Sequence, residues 1–114
     1  MAFSKIKAML KDFFGKSEHD LEGHQFKKAF ESISKAQLID VRTPAEVTSG
    51  TIGKAINIDF MSRDFDAKIQ KLEADKTYFV FCRSGTRSAT AVRKMKQAGF
   101  TAYNLVGGIN SWPR

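Results

Sequence analysis

Short apolar runs and amphipathic stretches alternate along most of the chain. The runs are rich in β-branched and aromatic residues and have the length of strands, whereas the stretches between them place apolar residues at helical spacing. In chain order, this pattern predicts a helix over 23–34, strands over 37–41 and 55–58, a helix over 62–72, a strand over 77–81, a helix over 86–98 and a strand over 102–105. Because strands that alternate with helices form parallel sheets, we expect an α/β domain with a mostly parallel sheet covered on both faces.

The first residues of the chain have a different pattern. Apolar residues recur there at helical spacing, with lysines between them (Phe3, Ile6, Met9, Leu10, Phe13, Phe14). This spacing predicts a basic amphipathic helix that ends near Gly15, and we divide the chain into an arm over 1–19 and a domain over 20–114. Such a helix packs on the domain or on a second copy, or lies on an anionic membrane surface, and we favour packing on protein.

The size of the chain indicates one folded domain. Its 114 residues are 42% hydrophobic, which is enough for one core and too little for two. We find no internal repeat and no apolar stretch long enough to span a membrane. One cysteine cannot form an internal disulfide, and residues 1–16 lack the apolar region of a secretory signal, so we expect a cytoplasmic location.

The net charge of +7 is unevenly distributed along the sequence. Residues 82–98 contain five basic residues and no acidic one (Arg83, Arg87, Arg93, Lys94, Lys96). Such a field steers small anions or an acidic partner protein toward this segment. We expect no nucleic-acid binding, because no base-stacking aromatic pattern or recognition motif accompanies the charge.

Cys82, the single cysteine, follows the apolar run 78–81 and precedes a short basic loop. The carboxyl end of a strand is where parallel sheets bind ligands, and a thiol reacts as its thiolate. Arg83 and Arg87 supply positive charge, Gly85 lets backbone N–H groups turn inward, and the next helix begins at this loop. We therefore interpret Cys82 as a nucleophile, with a buried, inert cysteine as the alternative.

Several segments together resemble the rhodanese (sulfurtransferase) family. The loop Cys-Arg-Ser-Gly-Thr-Arg-Ser at 82–88 is similar to the family's active-site loop. Leu-Ile-Asp-Val-Arg-Thr-Pro-Ala-Glu at 38–46, Ala-Ile-Asn-Ile at 55–58 and the segment 99–112, with its paired glycines and tryptophan, resemble further family motifs. The resemblance covers 21–112 and implies a single rhodanese-like domain with about five strands. The chain departs from the family pattern at 50–55 and at Val47, both outside the thiol loop.

The resemblance implies a sulfurtransferase of the thiosulfate:cyanide type. In that chemistry, Cys82 takes the outer sulfur of a donor such as thiosulfate, becomes a persulfide, and passes the sulfur to cyanide or a thiol. Six loop residues are implied to bind substrate: Arg83, Ser84, Gly85, Thr86, Arg87 and Ser88. Four residues separate the cysteine from the second arginine, whereas related cysteine phosphatases have five, so sulfur transfer is favoured over phosphoryl transfer. No metal or organic cofactor is required.

The remaining polar candidates are assigned supporting roles. By resemblance, Asp40, Arg42 and Glu46 are structural, with an ion pair between Arg42 and Glu46 fixing the loop after the strand. His19 and His24 precede the first core strand and have no second cysteine or carboxylate set around them, so we expect them to be exposed and to bind no metal.

Two functional classes stay open. One is an enzyme that turns over a small anionic sulfur donor. The other is a rhodanese module that relays sulfur or binds a partner without turnover, for which an acidic or thiol-bearing protein is the expected acceptor. The sequence names neither the donor nor the acceptor, and it leaves the oligomeric state open.

Overall fold

A computed structural model describes residues 18–114 as an α/β domain built around one parallel sheet. In chain order the elements are β1 (Asp20–Leu21), α1 (Gly23–Ser32), β2 (Ala36–Asp40), α2 (Pro44–Val47), β3 (Ile56–Asn57), α3 (Phe65–Gln70), β4 (Thr77–Phe81), α4 (Thr86–Gln97), β5 (Thr101–Leu105) and a final 3₁₀ turn (Ile109–Ser111). The strands are ordered β1-β5-β4-β2-β3, and every pair is parallel. The predicted five-stranded α/β fold is confirmed.

Helices cover both faces of the sheet, each over its own apolar cluster. On one face, α1 and the C-terminal turn pack on side chains that include Phe79, Phe81 and Leu105, and Phe26 meets Phe79 edge to face at 5.4 Å. On the other face, α3 and α4 contribute Phe65, Ile69, Val92 and Met95. Because both faces are covered, all five residues of β4 are buried, which explains why that strand is an uninterrupted apolar run rather than an alternating one.

The long elements agree with the sequence prediction more closely than the short ones. The strand predicted over 77–81 has those bounds, and α4 ends one residue before its predicted end, next to Gly99 with a φ of 95°. The helix predicted over 62–72 shortens to six residues, and β1 and α2 have too few residues for a periodicity to predict them. The predicted arm helix lies outside the described residues.

The topology brings two loops together at one edge of the sheet. β2 and β4 are neighbours at the centre, and Asp40 is paired in register with Phe81. The loops that follow them, 41–43 and 82–85, therefore leave the sheet side by side. Among residues 18–114, no helix has the length and apolar character needed to cross a membrane.

Candidate active site

Cys82 lies at the carboxyl end of β4 and is fully buried, with its sulfur enclosed by the loop that follows. The Gly85 N–H donates a hydrogen bond to Sγ at 3.1 Å, and the Ser88 N–H lies 3.4 Å from it. The Ser88 hydroxyl oxygen is 3.3 Å from the sulfur. The loop thus forms a small cup of donors around one sulfur atom, which is the arrangement that stabilises an anion.

Two glycines allow the backbone to form this cup. Gly85 has a φ of 97° and is the residue before α4, so the chain turns there and brings its own N–H and that of Ser88, in the first turn of the helix, to the sulfur. Gly108 packs against the carbonyl of Arg83, where a Cβ atom would overlap that oxygen. The Ile109 N–H also donates to the Cys82 carbonyl at 2.8 Å, so the turn after β5 supports the loop from outside.

The surroundings of Cys82 act on its pKa in opposite directions. Burial is the largest single effect and raises the pKa of the thiol. Hydrogen bonds from the Ser88 hydroxyl and from the N–H groups of Ser88, Gly85 and Ser84 lower the pKa and together outweigh burial. The pKa of Cys82 consequently lies below its ordinary value, which favours the reactive thiolate.

Arg87 connects the thiol loop to the segment after β2. Its guanidinium makes two hydrogen bonds to the carboxylate of Glu46, at 2.8 and 2.9 Å. Glu46 forms a capping box with Thr43 at the start of α2, so its position is fixed. The hydrogen bonds from Arg87 are the main reason that the pKa of Glu46 is lowered to about 2, and they also raise the pKa of Arg87.

The predicted ion pair between Arg42 and Glu46 is wrong. Arg42 instead donates hydrogen bonds to the carboxylate of Asp40, from Nη2 at 2.7 Å and from Nε at 2.9 Å, and both side chains are buried. Apart from Asp40, its guanidinium donates hydrogen bonds to the carbonyl oxygens of Glu46 and Gly50. Arg42 lies two residues after Asp40, and its planar guanidinium binds that carboxylate through two nitrogens, which leaves the Glu46 carboxylate to Arg87.

The side chains of the other predicted site residues make no hydrogen bond to the sulfur among the contacts of residues 18–114, although the backbone N–H of Ser84 does. Arg83, Ser84 and Thr86 are exposed, and the hydroxyls of Ser84 and Thr86 lie 3.4 Å apart. His24 is exposed, whereas His19 is half-buried, so the prediction for His19 is wrong: its carbonyl accepts a hydrogen bond from Asn104 and holds it against the sheet. Within the described part of the chain, no three residues of the His, Cys, Asp and Glu types are grouped as metal ligands would be.

Sequence reasoning missed two residues, Asn104 and Asp20. Asn104 is buried in β5, and its side-chain oxygen lies 2.6 Å from the hydroxyl of Ser88. Its amide nitrogen donates to Asp20 on the neighbouring strand at 3.0 Å. The available signal was a polar amide inside an otherwise apolar strand, because a buried amide requires hydrogen-bond partners. The sequence alone does not reveal that one of those partners contacts the cysteine.

These features define a class of protein in which a parallel α/β sheet holds one cysteine at the carboxyl end of a central strand, with hydrogen-bond donors placed to stabilise its thiolate. Residues 22–114 match the family described as Rhodanese-like domain. The putative sulfurtransferase YtwF of Bacillus subtilis is 36% identical over 86 residues, which are 75% of this chain and 82% of that protein. The probable adenylyltransferase/sulfurtransferase MoeZ of Mycobacterium tuberculosis is 38% identical over 81 residues, which cover 70% of this chain and 21% of MoeZ.

Solved structures agree with these sequence matches. The crystal structure of a rhodanese-related protein from Thermoplasma volcanium superimposes with a TM-score of 0.67 at 38% identity, and the match covers 76% of this chain and 85% of that one. The chain therefore belongs to the rhodanese-like family, as its motifs predicted. Its similarity to named sulfurtransferases supports sulfur transfer, in general terms, as its chemistry.

Proposed function

We propose that the protein transfers a sulfane sulfur through a persulfide on Cys82. The thiolate attacks the outer sulfur of a donor such as thiosulfate, the sulfur–sulfur bond breaks, and the electron pair leaves with sulfite. The cysteine then carries one additional sulfur atom as an anionic persulfide. An acceptor such as cyanide or a thiol attacks that outer sulfur, and the Cys82 thiolate leaves and is regenerated.

The observation that carries this proposal is the cup around Sγ. Two backbone N–H groups and one hydroxyl lie within 3.1 to 3.4 Å of a sulfur whose pKa is lowered despite burial. Donors in that position stabilise negative charge on the attacking thiolate and, after transfer, on the persulfide beyond it. An inert buried cysteine requires no such set of donors.

The two loop arginines are proposed to receive the anionic end of the donor. Arg83 follows Cys82 directly, and its side chain is exposed to solvent. Arg87 uses two of its five N–H donors on Glu46, which leaves others for a sulfonate oxygen. The exposed hydroxyls of Ser84 and Thr86 complete the proposed donor site without contacting the sulfur themselves.

A sulfur relay between proteins is the second candidate. Its support is the similarity to MoeZ, whose name joins a sulfurtransferase to an adenylyltransferase in one longer chain. In a relay, Cys82 forms the same persulfide, but a protein persulfide and an acidic or thiol-bearing protein replace the small donor and acceptor. Both candidates need a reduced thiol between cycles, so the proposal places the protein in the cytoplasm.

Intact-mass measurement tests the persulfide directly. Reduced protein mixed with thiosulfate is expected to gain one sulfur atom, and Cys82→Ser, which replaces the thiol with a smaller hydroxyl, is expected to gain none. A gain on both proteins, or on neither with either thiosulfate or a protein persulfide as donor, would contradict the proposal. Saturable turnover with thiosulfate and cyanide then supports the enzyme, whereas exchange with a protein persulfide alone supports the relay.

A further inference from the structure

A chain of four hydrogen-bonding side chains runs from the sulfur to the edge of the sheet. Ser88 lies between Cys82 and Asn104, with its hydroxyl oxygen 3.3 Å from Sγ and 2.6 Å from Oδ1 of Asn104. The Nδ2 of Asn104 donates to Asp20 at 3.0 Å and to the carbonyl of Gly85 at 3.4 Å. Ser88 and Asn104 are buried, so water does not compete for these contacts.

The acceptors around Asn104 fix the direction of the hydrogen bonds in this series of side chains. A carboxylate accepts hydrogen bonds and donates none, as does the carbonyl of Gly85. Both therefore bind the NH₂ group of Asn104, and the amide must turn its oxygen toward Ser88. Because Oδ1 only accepts, the single hydroxyl proton of Ser88 is drawn toward Asn104 at the shorter of its two contacts.

That proton cannot serve both neighbours at once. While Cys82 is a thiol, its S–H donates to Ser88 and the Ser88 hydroxyl donates to Asn104, so every group is satisfied. Once the sulfur is an anion, it can accept a bond from Ser88 only if the hydroxyl turns away from Asn104, leaving a buried oxygen without its donor. Asn104 thus competes with the thiolate for the same proton.

We propose that Asn104, oriented by Asp20, is a positioning residue that sets how readily Cys82 ionises by controlling the direction of the Ser88 hydroxyl. The inference deepens the sulfur-transfer proposal and rests on it for its functional meaning. A thiolate of very low pKa is a weaker nucleophile, so a competitor that restrains ionisation keeps the sulfur reactive. When the sulfur becomes an anion, the Ser88 hydroxyl turns to it as an additional donor.

Other charged groups surround this chain and stay constant in the test below. Arg83 and Arg87 are in the thiol loop, Glu46 pairs with Arg87, and Asp59, which follows β3, also acts on Arg87. None of them contacts Ser88 or Asn104 among the hydrogen bonds of residues 18–114. Substitution of Asn104 therefore leaves these groups in place, and the hydrogen bond to the Gly85 carbonyl is the other contact with the thiol loop that it removes.

The test is a pH titration of the thiolate by its ultraviolet absorbance in the full chain. The protein has one cysteine, so Cys82→Ala supplies a blank that removes the tyrosine signal. Ser88→Ala is expected to raise the apparent pKa of Cys82 by about one pH unit, the size of one lost hydrogen bond to a charged group. Asn104→Leu, which keeps the side-chain volume, is expected to lower it by about as much, because the hydroxyl is released to the sulfur.

Two further variants separate positioning from mere support of the loop. In the Ser88→Ala background, Asn104→Leu is expected to change nothing, because Asn104 acts through the hydroxyl. Asp20→Ala, at the half-buried end of the chain, is expected to shift the pKa in the same direction as Asn104→Leu, and Asp20→Asn, which retains an accepting oxygen, to restore it.

The signs of these shifts decide the outcome. A higher or unchanged pKa in Asn104→Leu would overturn the proposal, because a loosened loop loses its N–H donors and raises the pKa in both backgrounds. If Asn104→Leu does not fold, the two Asp20 variants decide the outcome. An equal pKa of Cys82 in Asp20→Ala and Asp20→Asn would overturn the proposal. The titration uses no sulfur donor, so its failure is distinct from a failure to form the persulfide.

Discussion

The loops after β2 and β4 are neighbours, but they use side chains and backbone in opposite ways. After β2, side chains stabilise one another and the backbone: Arg42 binds Asp40 and two carbonyl oxygens, and Glu46 caps α2. After β4, backbone N–H groups stabilise a side chain, the sulfur of Cys82. The first arrangement fixes the conformation of a loop, and the second stabilises negative charge on the sulfur of Cys82.

The two ion pairs of these loops differ in burial, and this difference decides which of them can also contact a substrate. The buried Asp40–Arg42 pair has its charges satisfied internally, so it has little capacity left for a substrate. The Arg87–Glu46 pair joins the two loops, and its side chains are about a quarter exposed. Arg87 is thus held in place in the thiol loop and still has N–H donors that Glu46 does not use, as its proposed role in anion binding requires.

Removal of Asp40 is expected to have the largest effect on stability. Asp40→Ala leaves Arg42 buried without its counter-charge, which is expected to reduce the free energy of unfolding by about 4 kcal/mol, measured by urea denaturation. Asp75→Ala is the matched control, because it breaks an exposed pair with Lys35 and is expected to change stability very little. Equal losses in the two variants would end the distinction between a buried structural pair and a surface pair.

The support beneath the thiol loop is tested at Gly108. Gly108→Ala has to place a Cβ atom on the carbonyl of Arg83 at a φ of 81° and ψ of −165°, a region that only glycine adopts readily. We expect the free energy of unfolding to fall by about 3 kcal/mol and the pKa of Cys82 to rise, because the donors around the sulfur must shift.

The control for Gly108 is a glycine that also has a positive φ but has no neighbouring atom for an added Cβ to meet. Gly99 has a φ of 95°, and a Cβ atom there would have no atom within 4 Å. Gly99→Ala is expected to cost about 1 kcal/mol and to leave the pKa of Cys82 unchanged. A pKa change of the same size in both variants would mean that general strain, rather than the contact with the loop, acts on the sulfur.

The bridge between the loops is expected to give the smallest effect. Glu46→Gln removes the charge partner of Arg87 and is expected to cost about 1 kcal/mol at neutral pH, since the pair is partly exposed. The pKa of Glu46 is lowered from 4.5 to about 2, so its contribution is complete above pH 4.5 and is lost as the pH falls toward about 2.

Urea unfolding at several pH values checks this dependence. The difference in stability between the wild type and Glu46→Gln is expected to shrink as the pH falls below 4.5 and to vanish near pH 2. A difference that stays constant over this interval would contradict the assignment to charge, because Gln keeps the shape of Glu46 and an oxygen that can accept the capping hydrogen bonds.

The sequence predicted the long elements and the position of Cys82 directly after β4 because both depend on local signals. The apolar run of β4, the helical spacing of α4 and the glycine after it are read along the chain, and the thiol loop is contiguous. The ion-pair partners were predicted wrongly because they are set by distance across loops. Arg87 and Glu46 are 41 positions apart, and only the pairing of β2 with β4 makes them neighbours.

The sequence by itself determined the fold class, the family and the position of the cysteine at the end of a buried strand. Periodicity and short contiguous motifs carry that information, because they reflect interactions between residues near in sequence. Only the tertiary structure decided that Asn104 and Asp20 belong to the site, since β1 and β5 come from opposite ends of the domain and meet through the sheet. A buried amide shows that partners exist, but which partners it has depends on how the strands are ordered.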